Sequence, residues 1–303
     1  MLKQRVITAA VLLPLLLWGV FYGSNTLWIG LFGLFIALST FEISQLIVPA
    51  FEKKLTEKEG SASSNGSSDG SVNFKGLKDE TSFPGGRLPG WAIVSVFLAV
   101  SFFVVSAVAD EAVAGQLASF SLILGMTYGV LTGGSVVSSM ARVLGTGVSV
   151  MYGALPWYAC YALFELAGDG RYLLLLIAVV MGSDTGAYFG GKSFGKRKLS
   201  PALSPNKTWE GLFSGVAVAV VFGVLANSFW DMKLGSVFFV ALSSVFAAVF
   251  GVVGDLVEST FKRFSGTKDS GSIFPGHGGF MDRVDGIIFA APVLWVCVSL
   301  FAK

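Results

Sequence analysis

The sequence predicts an all-α, polytopic integral membrane protein with about nine transmembrane helices and a cytoplasmic N-terminus. Hydrophobic residues make up 53% of the 303 residues and charged residues only 13%, whereas soluble domains carry about 25% charged residues. The apolar residues also fall in repeated runs of about 18 or more, the length that crosses a bilayer as a helix. These runs are continuous rather than alternating, which argues against a transmembrane β-barrel.

Residues 1–50 are predicted to form the first two membrane helices. The first run, 6–21, follows two basic residues and has no clear small-x-small cleavage site, so we interpret it as a helix rather than a signal peptide. The second run, 27–48, ends near Pro49 and contains Glu42, which we interpret as reaching the interface. Residues 51–90 open with charges and continue with a Ser/Gly-rich stretch. Such a composition predicts a flexible cytoplasmic loop.

Residues 91–303 are predicted to hold helices 3–9. The corresponding apolar runs are 91–109, 115–136, 147–166, 172–190, 209–229, 235–257 and 284–302. In this topology all but three of the 21 Lys and Arg residues fall in inner segments, the exceptions being Arg171, Lys233 and Lys303. Because positive residues favour the cytoplasmic side, this asymmetry supports the orientation.

Three polar clusters fall at the predicted inner side, at 182–198, at 204–211 and from Asp255 to Asp285. Asp184 lies within an apolar run, where a carboxylate costs about 2.5–3.5 kcal/mol and is expected to face a polar cavity or a partner. The glycines near it recur every four residues and predict one smooth helix face for close packing. These glycines are Gly182, Gly186 and Gly190.

The second and third clusters contain groups suited to anions and cations. Asn206 and Lys207 precede a helix, where N–H groups can meet an anion. Asp255 shares a helix face with Glu258 and Ser259. The glycine-rich turn at 275–279 can point N–H groups at phosphate oxygens. Asp282 and Asp285 share a face at the start of the last helix, where carboxylates are favoured.

Several carboxylates without a histidine or cysteine cluster suit a hard cation such as Mg²⁺, which usually takes one or two carboxylates plus substrate phosphates. Neighbouring basic residues suit a polyphosphate. The combination predicts phosphoryl or nucleotidyl transfer. Two other interpretations remain open at this point. The charges could form interfacial ion pairs that only stabilise helix packing, or Asp184 and Asp255 could serve an ion-coupled transporter.

Residues 259–285 resemble the signature of the phosphatidate cytidylyltransferase (CDP-diacylglycerol synthase) family. The residues at the family's spacing are Ser259, Lys262, Arg263, Lys268, Asp269, His277, Gly278, Gly279, Asp282, Arg283 and Asp285. The upstream pieces SDTGAYFGG and SPNKTWEG are also similar to that family. The resemblance covers about 150–303, where the catalytic portion is expected, and the N-terminal half matches only as apolar helices.

The resemblance implies that CTP and phosphatidate react to give CDP-diacylglycerol and pyrophosphate, with Mg²⁺ as cofactor. It implies a paired-cation centre held by Asp255 and Asp282, with Asp285 and Asp184 as accessory ligands and K⁺ as a candidate second cation. Lys262 and Arg263 would act in catalysis beside these aspartates. The remaining expected substrate-binding residues are Asn206, Lys207, Lys268, His277, Gly278, Gly279 and Arg283. A phosphate nucleophile is already ionised, so no general base is required.

The expected partners are CTP, phosphatidate and membrane lipid, without nucleic acid, and family analogy suggests a homodimer. The expected location is a bacterial-type inner (plasma) membrane, with several spans and the active site facing the cytoplasm. A related cytidylyltransferase that acts on a different lipid phosphate is the alternative within the same chemistry.

Overall fold

Eight α-helices and one short β-hairpin make up the described part of the chain. The computed structural model describes residues 22–64, 89–108, 111–166, 168–232, 234, 236–271, 273 and 278–301. In order, the elements are α1 (Asn25–Ser64), α2 (Gly90–Val108), α3 (Glu111–Thr132), α4 (Val136–Leu166), α5 (Arg171–Phe194), β1 (Lys198–Ser200), β2 (Ser204–Thr208), α6 (Trp209–Phe229), α7 (Val237–Ser265) and α8 (Met281–Phe301). The predicted helix 6–21, His277 and most of the predicted loop lie outside the described residues.

The eight helices coincide with predicted helices 2–9, which confirms a nearly all-α fold. Six of them, α1, α2 and α5–α8, are long and apolar enough to cross a membrane by length and composition. Among the described residues, α3 and α4 do not meet both conditions. The chain is therefore a multi-pass membrane protein, while the count of nine spans and the orientation remain predictions.

Helix α1 differs most from its predicted bounds, because it continues through Pro49 to Ser64. Proline removes one backbone hydrogen bond from a helix, but contacts on the far side of Pro49 hold the next turn in place. Glu52 pairs with Arg142 at 3.0 Å, and the Phe51 and Phe264 rings are 5.0 Å apart. Residues 51–64, predicted as loop, are therefore helical. Helix α4 also begins earlier than predicted, at Val136 instead of 147.

The hairpin formed by β1 and β2 was not predicted from the sequence. Its strands are antiparallel, with Lys198 opposite Thr208. The Glu210 carboxylate accepts hydrogen bonds from the backbone N–H groups of Lys196 at 3.0 Å and Arg197 at 3.1 Å. The Thr208 side chain accepts from Gly211 N at 3.1 Å and caps α6. These bonds fasten the hairpin to the N-terminus of α6.

The predicted glycine face of α5 is confirmed, and it packs against α6. A Cβ built on Gly186 would lie 2.7 Å from the Ser214 carbonyl oxygen and 2.8 Å from the Val218 side chain. Gly182 and Gly190 meet the same helix in the same way. The two backbones therefore approach more closely than side chains would allow, as in other membrane helix pairs.

This face gives a prediction for stability. We expect Gly186→Ala to lower the free energy of unfolding by about 1–3 kcal/mol, because the added methyl overpacks a rigid backbone contact. A matched control is Gly147→Ala on α4, where no atom lies within 4 Å of a built Cβ and alanine favours the helix. Thermal unfolding in detergent would measure both variants. Equal transitions for the two would contradict the close contact.

Helix α8 joins the N-terminal and C-terminal helices, since it packs on α7 and also contacts α4 and α5. The Phe280 ring precedes α8 and lies 5.3 Å from the Phe35 ring and 5.8 Å from the Trp157 ring. On the other side, a Cβ on Gly254 of α7 would lie 2.9 Å from the Phe289 Cβ. Aromatic and close backbone packing thus fix the start of α8 against α1, α4 and α7.

Candidate functional site

A first group of charges, the Lys207 cluster, brings together Asp184, Lys207, Asp255 and Asp285. The Lys207 Nζ lies 2.5 Å from an Asp255 carboxylate oxygen, and the Ser259 hydroxyl donates to the other oxygen at 3.3 Å. Asp184 and Asp285 lie within electrostatic range of this pair and of each other. Four elements, α5, β2, α7 and α8, each contribute one residue, so the cluster exists only in the folded chain.

The hairpin explains how Lys207 reaches the carboxylates. Lys207 is the penultimate residue of β2 and is followed by Thr208, which caps the start of α6. The Glu210 bonds to the backbone of 196–197 fix the base of that hairpin. Asp255 is half-exposed and lies on α7, one helical turn before the polar end of that helix. The two partners are therefore held by separate rigid elements.

A second group, the Lys262 cluster, contains Glu42, Glu258, Lys262, Ser270 and Asp282. The Lys262 ammonium lies 2.7 Å from Asp282 Oδ1 and 3.1 Å from Glu258 Oε2. The other Asp282 oxygen accepts from Ser270 N at 2.9 Å, from Ser270 Oγ at 3.0 Å and from Gly279 N at 2.9 Å. Asp282 is thus held by one cation and three further donors, a strongly oriented carboxylate.

Two carboxylates connect the clusters. Glu258 is fully buried and lies within electrostatic range of both Asp282 and Asp285. Asp285 accepts from Gly286 N at 2.8 Å and is within range of Asp255. The clusters together form one continuous polar region with five acidic groups and two lysines on α5, β2, α7 and α8, joined by Glu42 from α1.

The structure places the other predicted residues around this region. Asn206, Arg263, Lys268 and Arg283 are exposed, and Arg263 donates to the Thr267 carbonyl at 3.3 Å. Gly278 has φ +80°, and a Cβ there would lie 2.8 Å from an Asp282 oxygen. Gly279 is buried and bonds to Asp282 through its N–H. His277 lies outside the described residues.

Sequence reasoning missed the role of Glu42 and gave Glu258 no role. Glu42 is only 2% exposed and accepts from the backbone N–H groups of Phe280 and Met281 at the start of α8, and the Ser270 hydroxyl lies 3.2 Å from its carboxylate. The interpretation that it reaches the interface is therefore wrong: its carboxylate turns inward to partners that follow more than 200 residues later in the chain. The available signal was a carboxylate inside an apolar run, which usually marks a function or a partner.

The carboxylate oxygens of this region fit a hard cation whose coordination is completed by substrate oxygens. Within the described residues, no three Asp, Glu, His or Cys side chains lie close enough to form a full metal cage. Mg²⁺ seldom needs one, because it keeps waters and binds one or two carboxylates plus substrate phosphates. The Asp255 side chain is 33% exposed, which leaves room for such additional ligands.

The fold and the site define a helical, multi-pass membrane protein with a half-buried carboxylate–lysine site suited to anionic substrates. The family model of the cytidylyltransferase family matches residues 71–301, a match that begins well before residue 150. The chain belongs to the cytidylyltransferase family.

Individual relatives agree with the family model. The chain is 32% identical to a phosphatidate cytidylyltransferase of Pseudomonas aeruginosa over 302 residues, which covers 97% of this chain and 95% of that protein. It is 36% identical to the Bacillus subtilis phosphatidate cytidylyltransferase over 188 residues, covering 62% of this chain and 69% of that protein. It is 43% identical to a Staphylococcus epidermidis phosphatidate cytidylyltransferase over 132 residues, covering 43% of this chain and 50% of that one.

Proposed function

We propose that this chain is a phosphatidate cytidylyltransferase, which converts CTP and phosphatidate into CDP-diacylglycerol and pyrophosphate. The observation that carries this proposal is the similarity over 97% of the chain to a relative of that name. The site supplies matching chemistry, since two lysines and several carboxylates meet in a membrane protein. A lipid phosphate and a nucleoside triphosphate both need cationic groups close to the membrane.

In this reaction a phosphate oxygen of the lipid forms a bond to the α-phosphorus of CTP. The bond between that phosphorus and the bridging oxygen to the β-phosphorus breaks, and pyrophosphate leaves with the electron pair. The lipid phosphate is already ionised at neutral pH, so no residue needs to remove a proton. Catalysis is then positioning and charge neutralisation, for which Lys207 and Lys262 are the best placed cations.

We propose Mg²⁺ as the cofactor, bound by one or two of the carboxylates of Asp255, Asp282 and Asp285 and otherwise by substrate phosphates and water. When bound, it would neutralise charge on the phosphates and help to orient them. The carboxylates serve this role by their placement on two helices that pack closely, α7 and α8. Asp184 adds a further negative charge from α5. A second cation such as K⁺ rests on the family resemblance alone and stays a prediction.

We also propose that the site faces the cytoplasm from a bacterial-type inner membrane. The site lies toward the end of α7, where Phe264 packs against Phe51 and Lys54 of α1. At the opposite end of α1, Asn25 bonds to Glu165 at 2.8 Å. The exposed lysines and arginine of 192–198 lie on the hairpin side. Positive residues favour the cytoplasm, and CTP is found there.

One assay tests this function. Purified protein in detergent with CTP, Mg²⁺ and phosphatidate is expected to release pyrophosphate and form CDP-diacylglycerol. Diacylglycerol, which lacks the attacking phosphate, is the matched control lipid and should give no pyrophosphate. Release without lipid, or no release at all, would refute the assignment. An isoprenoid ether-lipid phosphate as a better substrate than phosphatidate would favour the alternative within the same chemistry.

The same assay tests the orientation. CTP does not cross membranes, so inverted vesicles should consume external CTP, and right-side-out vesicles should do so only after permeabilisation. The opposite pattern would contradict a cytoplasmic site without affecting the proposed reaction.

A further inference from the structure

Glu42 joins the N-terminal helices to the start of α8, beside the proposed active site, through several hydrogen bonds. One Glu42 oxygen accepts from Phe280 N at 2.8 Å, and the other accepts from Met281 N at 2.8 Å. Met281 is the first residue of α8. The first N–H groups of a helix have no partner inside the helix. Glu42 therefore caps α8 from a helix more than 200 residues away in sequence.

Gly271 and Gly279 bring the backbone close to this carboxylate. A Cβ on Gly271 would lie 2.6 Å from one Glu42 oxygen, and a Cβ on Gly279 would lie 2.6 Å from both oxygens. Only glycine allows the backbone to approach the carboxylate so closely. The packing is therefore specific for the group at residue 42, and not a general apolar contact between helices.

Ser270 links Glu42 to Asp282. Its hydroxyl lies 3.2 Å from a Glu42 oxygen and 3.0 Å from an Asp282 oxygen, and a single O–H can donate to only one of them at a time. Its backbone N–H also donates to Asp282 at 2.9 Å. A shift of the Glu42 carboxylate would therefore move the donors that orient Asp282.

We infer that Glu42 is a positioning residue of the active site: it holds residues 270–271 and 279–281 against α1, so that Asp282 keeps its orientation. This inference rests on the proposed function for its kinetic test. Glu42 itself acts through α8 and Ser270 and has no role in touching the substrate. The N-terminal helices thus contribute to catalysis, although the family signature lies entirely in the C-terminal half.

Glu42→Gln and Glu52→Gln form a matched pair on α1 for testing this inference. A glutamine at position 42 has one acceptor oxygen, so its NH₂ group must face one of the two backbone N–H groups. Glu52 is a suitable control because it lies on the same helix and pairs with Arg142, away from the site. Glu42→Gln is expected to lower kcat at least about tenfold, with the KM values for CTP and phosphatidate changed less than about threefold. Glu52→Gln should keep the wild-type kcat.

Two further measurements separate positioning from general destabilisation. Hydrogen–deuterium exchange should rise in the peptide that starts at Phe280 in Glu42→Gln and not in Glu52→Gln, whether or not the protein is active. In a double-mutant cycle with Ser270→Ala, the effects on kcat should be clearly less than additive, since both changes disturb one network. Additive effects, or a loss of activity that only follows the loss of folded protein, would overturn the inference.

The outcomes also distinguish this inference from the proposed function. If the wild-type chain does not convert phosphatidate, the function fails, while the exchange measurement still tests the cap. If the wild type is active and Glu42→Gln matches Glu52→Gln in both kcat and exchange, the inference fails alone.

Discussion

Asp282→Asn is expected to reduce turnover to below about a tenth of the wild-type rate, an increase in the barrier of more than about 1.4 kcal/mol. The Asp282 carboxylate meets Lys262 on one oxygen and three donors on the other. An asparagine has one acceptor oxygen, so its NH₂ group must face either the ammonium or the N–H groups. The substitution also removes the charge that would hold a cation. Pyrophosphate release under saturating CTP and phosphatidate measures the effect.

Asp231→Asn is the matched control for this variant. Asp231 is exposed between α6 and α7, at φ 44°, a left-handed conformation that asparagine tolerates well. We expect it to keep the wild-type rate and the same thermal transition. If Asp282→Asn kept more than about a tenth of the rate, Asp282 would hold neither a metal nor the geometry of the site.

Lys207→Met is expected to lower kcat/KM for CTP at least about 30-fold, which corresponds to about 2 kcal/mol of lost transition-state stabilisation. Methionine keeps an unbranched apolar side chain but removes the lysine that pairs with Asp255 among the described residues. Asp184, Asp255 and Asp285 would then repel one another without this neutralising charge. The phosphates would also lose a cation fixed by the hairpin.

Lys198→Met tests whether the effect is specific to position 207. Lys198 is exposed on β1 of the same hairpin, so its loss changes the net charge equally. We expect Lys198→Met to retain the wild-type kcat/KM. The kcat/KM of Lys207→Arg should fall between those of Lys198→Met and Lys207→Met, since arginine keeps the positive charge but replaces the compact ammonium with a planar guanidinium. Equal losses of kcat/KM in both methionine variants would show that Lys207 contributes only to the surface charge.

Much of the fold could be predicted because membrane helices are encoded locally. A continuous apolar run is sufficient for a helix, and eight of the predicted helices coincide with described ones. The glycine face of α5 was predictable for the same reason, since a spacing of four residues is a local pattern. Helix ends were less predictable: α1 passes Pro49 because Glu52 and Phe51 find partners on α4 and α7, which no local pattern contains.

The candidate site was predictable as a set of residue types and much less as a set of contacts. Asp184, Lys207, Asp255 and Asp285 were all identified, and the structure brings them together. The partners of each charge were not predictable. Lys262 pairs with Asp282 and Glu258, and Glu42 belongs to the site although it lies in the part of the chain with the weakest resemblance.

The sequence by itself determined that this protein crosses a membrane and carries carboxylates and lysines in a few polar clusters, because composition and apolar runs are local properties. It also contained the motif that indicates the family. Only the tertiary structure decided that Glu42 caps α8, that a hairpin presents Lys207 to Asp255, and that Glu258 and Asp285 connect two charge clusters. The physical reason is that a buried charge is stabilised by partners that folding brings near it, and those partners lie on other helices.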